Sequence, residues 1–180
     1  MPKLIGTTQT FDVDQDIQTT FDWVVHPDAP VVFINGWGPI PGFDAYEITE
    51  GDWTQPGSSR KVTLGDGSNV TETIKTVNAP AYFDYELQGF TNPVLKAAFT
   101  RAFGQWWFTT REDGGTHVVW TYSFEGRNAV LTPVVWVFVN AIYRRYVKQA
   151  VSSLSTISKG EGLGAAPLAS PPSDGAQQRV

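Results

Sequence analysis

The hydrophobic pattern of this chain changes its period once, and this change restricts the folds that the chain can adopt. Between Tyr46 and Glu125, short apolar or alternating segments are joined mostly by turn-forming residues, which predicts an antiparallel meander of strands. After Asn128 the apolar residues recur three or four positions apart as far as Ile157, which predicts one long C-terminal helix. The predicted strands cover residues 46–50, 59–64, 69–76, 81–87, 105–111 and 117–125. In a chain of 180 residues, this order indicates a single α+β domain.

The pattern of the C-terminal helix is uneven along its length. Residues 129–143 are apolar on nearly every face, so we expect the beginning of the helix to be enclosed by the rest of the domain. This stretch is too short to span a membrane, which favours a core helix. The second half is amphipathic, with a polar side that carries Arg144, Lys148 and Ser152. Gly, Ala, Pro and Ser then predominate, which predicts a disordered tail over residues 159–180.

The segment before the meander predicts one strand and two short helices. Residues 4–11 are rich in threonine and have the pattern of a first strand. A helix follows, with Asp16 among its candidate N-caps, and the pair His26-Pro27 ends it. Prolines and glycines interrupt the apolar run within residues 28–43, so we expect a second short helix and then an irregular loop that forms a lid.

One predicted hairpin places two opposite charges on strand faces that are otherwise apolar. Arg60 shares its face with Val62 and Leu64, and Glu72 lies on the apolar face of the next strand. If residues 65–67 form a three-residue loop, Arg60 lies directly opposite Glu72. An inward charge needs a partner, so a structural ion pair is one interpretation. The other is a polar anchor inside an apolar ligand cavity, since ligand sites are mostly apolar with a few placed polar groups.

Composition excludes several classes of function. The chain has no cysteine, which excludes disulfides and a thiol nucleophile, and its two histidines, His26 and His117, cannot supply a histidine-rich metal site. Carboxylate-only metal sites stay open, but we expect neither a metal nor a cofactor. The net charge of −5 argues against nucleic acid as a partner. The N-terminus lacks the apolar core and cleavage site of a signal peptide, so the expected location is the cytoplasm.

Aromatic residues concentrate between residues 106 and 146 and exceed what one packed sheet usually needs. Alternation along the last three strands separates their side chains into two sets. The set predicted to face the helix comprises Phe83, Tyr85, Trp106, Phe108, Val118, Trp120, Tyr122 and Phe124. The set predicted to face solvent comprises Asp84, Glu86 and Trp107. The excess of inward aromatic groups indicates that some of them line a cavity.

Dispersed residues of the hairpin and the later strands match a known family. They are Trp53, Pro56, Gly57, Arg60, Val62, Leu64, Asp66, Gly67, Glu72, Ile74, Tyr85, Gly89, Phe90, Gly104, Trp106, Phe108, Gly115, Thr116, Val118 and Trp120. Together with the order of elements, they resemble the SRPBCC superfamily, which includes START and birch-pollen-allergen-like proteins. The resemblance is to its polyketide cyclase/dehydrase and lipid-transport branch, and it covers residues 7–157.

The resemblance implies a helix-grip fold, in which a curved antiparallel sheet wraps around the long C-terminal helix, over residues 1–158. It also implies a cavity between sheet and helix that binds a hydrophobic small molecule, a lipid or a polyketide-like compound. The residues predicted to contact such a ligand are Trp37, Tyr85, Trp106, Phe108, Trp120, Tyr122 and Phe138.

Two other functions stay open at the level of sequence. One is a polyketide cyclase, aromatase or dehydratase, in which Glu72 acts as acid or base while Arg60 or Tyr122 polarises a carbonyl. An Arg60–Glu72 ion pair would make Glu72 a poor base, which slightly favours the binding function. The other is a partner-binding domain that uses Trp107 and the closing helix. A homodimer is compatible with each of these functions.

Overall fold

The structure is a computed structural model that describes residues 4–38 and 40–160. A strand opens the chain, two short helices follow, and the remaining strands lead to a C-terminal helix with a third short helix between β5 and β6. The strands are β1 (Leu4–Val13), β2 (Phe43–Glu50), β3 (Ser59–Leu64), β4 (Asn69–Asn78), β5 (Tyr82–Gln88), β6 (Phe99–Thr110) and β7 (Thr116–Gly126). The helices are α1 (Ile17–Val25), α2 (Ala29–Phe33), α3 (Pro93–Ala98), α4 (Thr132–Val137) and α5 (Arg144–Gly160).

The described strands form one antiparallel sheet in the order β1-β7-β6-β5-β4-β3-β2. Strands β2 to β7 are a meander, and β1 pairs beside β7, with Leu4 opposite Glu125 and Val13 opposite Thr116. The sheet is curved and the C-terminal helix packs against it, which is the helix-grip arrangement. The predicted fold class is therefore confirmed.

Helix α1 begins and ends where the sequence predicts, and α2 lies within the segment that was predicted to contain a second short helix. The carboxylate of Asp16 caps α1 by accepting a hydrogen bond from the Thr19 amide at 3.0 Å. The helix ends at Val25, before Pro27, and buries Phe21 against the sheet. Residue Pro30 lies in the first turn of α2, where a missing N–H is tolerated. Both helices lie against one side of the core.

The alternation along β5, β6 and β7 is confirmed for the inward set, because all eight of its side chains are buried. Trp107 is on the opposite face and is 37% exposed, as predicted. The prediction for Glu86 is wrong, since this residue is buried. Its carboxylate lies 3.3 Å from Lys75 Nζ and 3.4 Å from Arg101 Nη1, and these long side chains cover it on the outer face of the sheet.

The C-terminal helix runs from residue 132 to residue 160 and passes through a π-helical segment, Phe138–Tyr143, between α4 and α5. Its side toward the sheet is buried at Val135, Val139, Tyr143, Tyr146, Val147, Ala150 and Leu154. The prediction that the beginning of this helix is enclosed is wrong. α4 packs on β7 with one side, while Trp136 on the other side is 59% exposed.

The predicted tail falls almost wholly outside the described residues. Helix α5 continues to Gly160, and residues 161–180 are not described by the structure. Across residues 4–38 and 40–160, no helix is long and apolar enough to cross a membrane.

Candidate functional site

A cavity lies between the sheet and the C-terminal helix. Its volume is about 110 Å³, which at about 30 Å³ per molecule is room for roughly four water molecules. Side chains of β3 to β7 line one wall, the C-terminal helix lines the opposite wall, and α1, α2 and the segment up to Phe43 line one side. Most of the lining groups are apolar, as in small-molecule sites generally.

Two stacked tryptophans form the centre of the sheet-side wall. Trp106 on β6 pairs with Trp120 on β7, and their ring centroids are 4.4 Å apart with planes inclined by 15°. Phe33 of α2 meets both rings edge-on, at centroid distances of 6.4 and 6.3 Å. The pairing register of β6 and β7 thus gives the cavity a broad aromatic surface on its sheet side.

Arg60 and Glu72 face each other across β3 and β4, and the register predicted for the hairpin is confirmed. Arg60 Nε donates a hydrogen bond to Glu72 Oε2 at 2.7 Å, and Nη2 forms an ion-pair contact with the same oxygen at 2.7 Å. The remaining nitrogen, Nη1, donates to the Pro27 carbonyl at 2.7 Å. Arg60 is 3% exposed and Glu72 is 5% exposed. Loss of either partner would leave a buried charge unpaired.

Three aromatic rings surround the Arg60 guanidinium. Its Cζ lies 3.8 Å from the ring centroid of Trp53, 5.0 Å from that of Phe43 and 5.4 Å from that of Tyr46. The Trp53 ring is fixed in turn, because its indole N–H donates to the Val25 carbonyl at 3.1 Å. One carboxylate, one carbonyl and three rings therefore hold Arg60 in place, which joins the hairpin to α1 and β2.

Four tyrosines lie on the cavity wall, and sequence analysis identified only Tyr85 and Tyr122. The other two, Tyr143 and Tyr146, come from the C-terminal helix, and Tyr143 lies 4.9 Å from the Tyr122 ring. Burial raises the pKa of all four phenols above the usual range, and for Tyr122 the neighbouring Tyr85 and Glu72 add to the effect. All four therefore stay protonated near neutral pH. The spacing of three between Tyr143 and Tyr146, on one helix face, was the available sequence signal.

The position of Tyr85 depends on Gly104, which lies opposite it on β6. A Cβ at Gly104 would be 2.2 Å from Tyr85 Cζ, so the ring lies where any other residue would place its side chain. The Tyr85 hydroxyl lies near the indoles of Trp106 and Trp120, whose Nε1 atoms are buried without a hydrogen-bond partner. Because an indole N–H only donates, neither ring can accept the hydroxyl hydrogen.

Most residues predicted to bind ligand or to catalyse lie on the cavity wall. These are Arg60, Glu72, Tyr85, Trp106, Trp120, Tyr122 and Phe138. Phe108 is not on the wall, since it packs behind it, edge-on to Phe21 at 5.4 Å. Trp37 is not on the wall either, and its ring lies 5.9 Å from the Arg145 guanidinium. The functional roles of these residues stay predictions.

The histidines lie at the margins of this site. His26 is at the rim of the cavity, 3.7 Å from Asp28. His117 is on the outer face of the sheet, where its Nδ1 lies 2.6 Å from Asp12 Oδ1. Within the part of the chain that the structure describes, no group of three His, Asp or Glu side chains is placed to hold a metal ion.

Solved structures with the same architecture have low sequence identity to this chain. The crystal structure of Ara h 8.0201 has a TM-score of 0.64 at 17% identity, over 87% of this chain and 98% of its own. The major latex-like protein 151 from Panax ginseng has a TM-score of 0.62 at 12% identity, over 87% and 98%. A norcoclaurine synthase mutant from Thalictrum, solved with a transition state analogue, has a TM-score of 0.63 at 12% identity, over 88% and 96%. At these identities, the likeness shows the fold alone.

Sequence comparison identifies the family. No curated protein matches this chain. A family model described as polyketide cyclase / dehydrase and lipid transport matches residues 5–158, which span the whole sheet and nearly all of the C-terminal helix. The chain therefore belongs to the polyketide cyclase / dehydrase and lipid transport family of the SRPBCC superfamily.

Proposed function

We propose that this protein binds a hydrophobic small molecule, a lipid or a polyketide-like compound, in the cavity between the sheet and the C-terminal helix. The observation that carries the proposal is the stacked Trp106–Trp120 pair, which faces a largely apolar cavity. The family supports it, because the description of the family includes lipid transport.

The polar groups of the wall indicate what else such a ligand carries. Its apolar body would lie against the indoles, while the hydroxyl of Tyr85 or Tyr122 would donate to an oxygen of the ligand. On this wall Arg60 is already paired with Glu72 at 2.7 Å, so it offers no unpaired positive charge to an anionic group of a ligand. We therefore expect the oxygen to belong to a neutral group, such as a carbonyl.

Catalysis by Glu72, with Arg60 or Tyr122 as the electrostatic partner, has less support. A general base must reach a proton of the substrate, whereas Glu72 Oε2 already accepts a hydrogen bond from Arg60 Nε and is in ion-pair contact with Arg60 Nη2. Arg60 is itself held by the Pro27 carbonyl and by three rings. This arrangement is better suited to fixing the hairpin than to polarising a carbonyl.

A pair of tryptophan substitutions on adjacent residues of β5 tests the proposal. Leu87 lies on the cavity wall, whereas Gln88 is exposed on the other face of the strand. Leu87→Trp should fill the cavity and strongly weaken the binding of prodan, a neutral naphthyl ketone dye whose fluorescence reports its surroundings. Gln88→Trp adds the same ring outside the cavity and should leave binding unchanged. Equal dye affinity in both variants and the parent would contradict a ligand site in this cavity.

A further inference from the structure

The largest group of exposed apolar side chains lies at the beginning of the C-terminal helix. Val130, just before the helix, is 86% exposed, and Val134, Trp136 and Val137 are each more than half exposed. Exposed large apolar residues are normal when single, but four within eight positions form a patch, and patches mark interaction sites.

Helix α3 adds a fifth apolar group at the same end of the molecule. The chain leaving β7 is tied to α3, because the Arg127 amide donates to the Ala98 carbonyl at 2.9 Å and Arg127 Nε donates to the Lys96 carbonyl at 2.9 Å. Val94 on this helix is 72% exposed. Val94, Val130, Val134, Trp136 and Val137 are together called the valine–tryptophan surface below.

The C-terminal helix brings charges of one sign to this surface, while Asp66 lies at the α3 edge, where its carboxylate accepts a hydrogen bond from Asn92 at 2.9 Å. Residues 127–160 contain five basic residues and no acidic one, although the whole chain has a net charge of −5. Among the basic residues, Arg127, Arg144 and Lys148 have exposed side chains, and α3 contributes Lys96, also exposed. The basic charge of an otherwise acidic protein is therefore concentrated beside its most exposed apolar residues.

The valine–tryptophan surface lies directly outside the cavity. Leu95, the neighbour of Val94, lines the cavity, and so does Phe138, the neighbour of Val137. The π-helical segment begins at Phe138, and such segments are frequent at functional sites. A partner on this surface would therefore contact the two elements that separate solvent from this end of the cavity.

We propose that the valine–tryptophan surface docks on the surface of a membrane that contains anionic lipids. Tryptophan and aliphatic side chains enter the headgroup region of a bilayer, and Lys and Arg beside them are attracted to anionic headgroups. A second copy of this chain fits the surface less well, because a two-fold interface would bring its basic residues against the same basic residues. In this docking the protein lies on the bilayer without crossing it. The test does not depend on the identity of the ligand in the cavity.

Co-sedimentation with lipid vesicles tests this proposal. The parent should bind vesicles of phosphatidylcholine mixed with phosphatidylglycerol more tightly than vesicles of phosphatidylcholine alone, and added salt should weaken the difference. Neutralising Arg144 and Lys148 together, as Arg144→Gln and Lys148→Gln, should weaken binding to the anionic vesicles about thirtyfold, since each basic residue contributes about fivefold. Lys61→Gln removes one exposed lysine from β3 and should have no effect.

Substitution of the exposed tryptophans tests the apolar part of the surface. Trp136→Ser should weaken binding to anionic vesicles, and the Trp136 emission of the parent should shift to the blue when vesicles are added. Trp107→Ser, on the outer face of the sheet, is the matched control and should bind as the parent does. Failure of the parent to bind either vesicle, or equal binding by Trp136→Ser, overturns the proposal. So does a dimer, measured by light scattering, that Trp136→Ser converts to a monomer.

Discussion

The buried pair of Arg60 and Glu72 makes a quantitative prediction about stability. We consider Arg60→Met, Glu72→Met and the double variant, because methionine keeps most of the side-chain length and removes the charge. In the parent, Nε and Nη2 of Arg60 each lie 2.7 Å from Oε2 of Glu72. Arg60 has further partners, the Pro27 carbonyl and the ring of Trp53, whereas Glu72 depends mainly on Arg60. The two single substitutions should therefore have unequal costs.

The expected magnitudes follow from these contacts. Glu72→Met leaves a cation that still has a carbonyl and three rings, so it should cost about 3 kcal/mol, the low end for a broken buried pair. Arg60→Met leaves the Glu72 carboxylate without a cation and removes the contact with Trp53, so it should cost about 4–5 kcal/mol. The double variant should cost no more than Arg60→Met alone, because no unpaired charge remains. The coupling energy between the two positions is then about 3 kcal/mol.

Urea unfolding of the four proteins measures each of these free energies, provided that the slope against urea is unchanged. If each single substitution costs less than about 1 kcal/mol, the pair behaves like a solvated surface pair, and the predicted dependence of each charge on the other is wrong. Additive losses in the double variant would also refute it, since they would show that the two charges do not interact. A Lys61→Met control, on the exposed face of the same strand, should leave stability almost unchanged.

Two further predictions concern the cavity wall and Tyr46 of β2. Gly104→Ala should lower the free energy of unfolding in urea by about 1–3 kcal/mol, because its Cβ would overlap the Tyr85 ring. Gly126→Ala is the control and should cost less, since the nearest neighbour of its Cβ would be 3.4 Å away. Equal losses in the two variants would contradict the contact between Gly104 and Tyr85. Burial and the hydrogen bond to Asp28 raise the pKa of Tyr46 from 10.0 to about 12, so the folded state keeps a proton that the unfolded chain releases. This contribution to the free energy of unfolding should be complete below the pKa of the unfolded chain, and it should be lost as the pH rises toward the folded pKa. A Tyr46→Phe variant that loses as much stability as the parent over this pH range would show that Tyr46 does not cause the loss.

The overall fold followed from the sequence because its two periods are unambiguous. Alternation located the strands, and the spacing of three and four located the C-terminal helix. The exposure of the helix start did not follow, because an all-apolar stretch has the same composition whether it is enclosed or faces a partner. The burial of Glu86 was missed for a related reason: alternation gives the face of a residue, but it does not show that Lys75 and Arg101 cover that face.

The site was predictable where it depended on the register of one hairpin. Arg60 and Glu72 are joined by a short turn, so counting residues was sufficient to place them opposite each other. The rings around Arg60 were not predictable, because Phe43 and Tyr46 lie on β2, which contains register shifts. The contact between Tyr143 and Tyr122 was not predictable either, because it depends on how the C-terminal helix packs against the sheet.

The central claim, that the cavity holds a hydrophobic ligand, is tested most directly by the indole N–H resonances of the seven tryptophans during a titration with acetylnaphthalene. Assignment by single Trp→Phe substitution would identify each signal. A ligand in the cavity should shift the signals of Trp106 and Trp120 and leave those of the exposed Trp107 and Trp136 unchanged. Saturable shifts confined to the tryptophans of the cavity wall, which are Trp53, Trp106 and Trp120, are the result expected for an internal site. Shifts confined to Trp136 or Trp107, or no shift at any concentration, would contradict the claim.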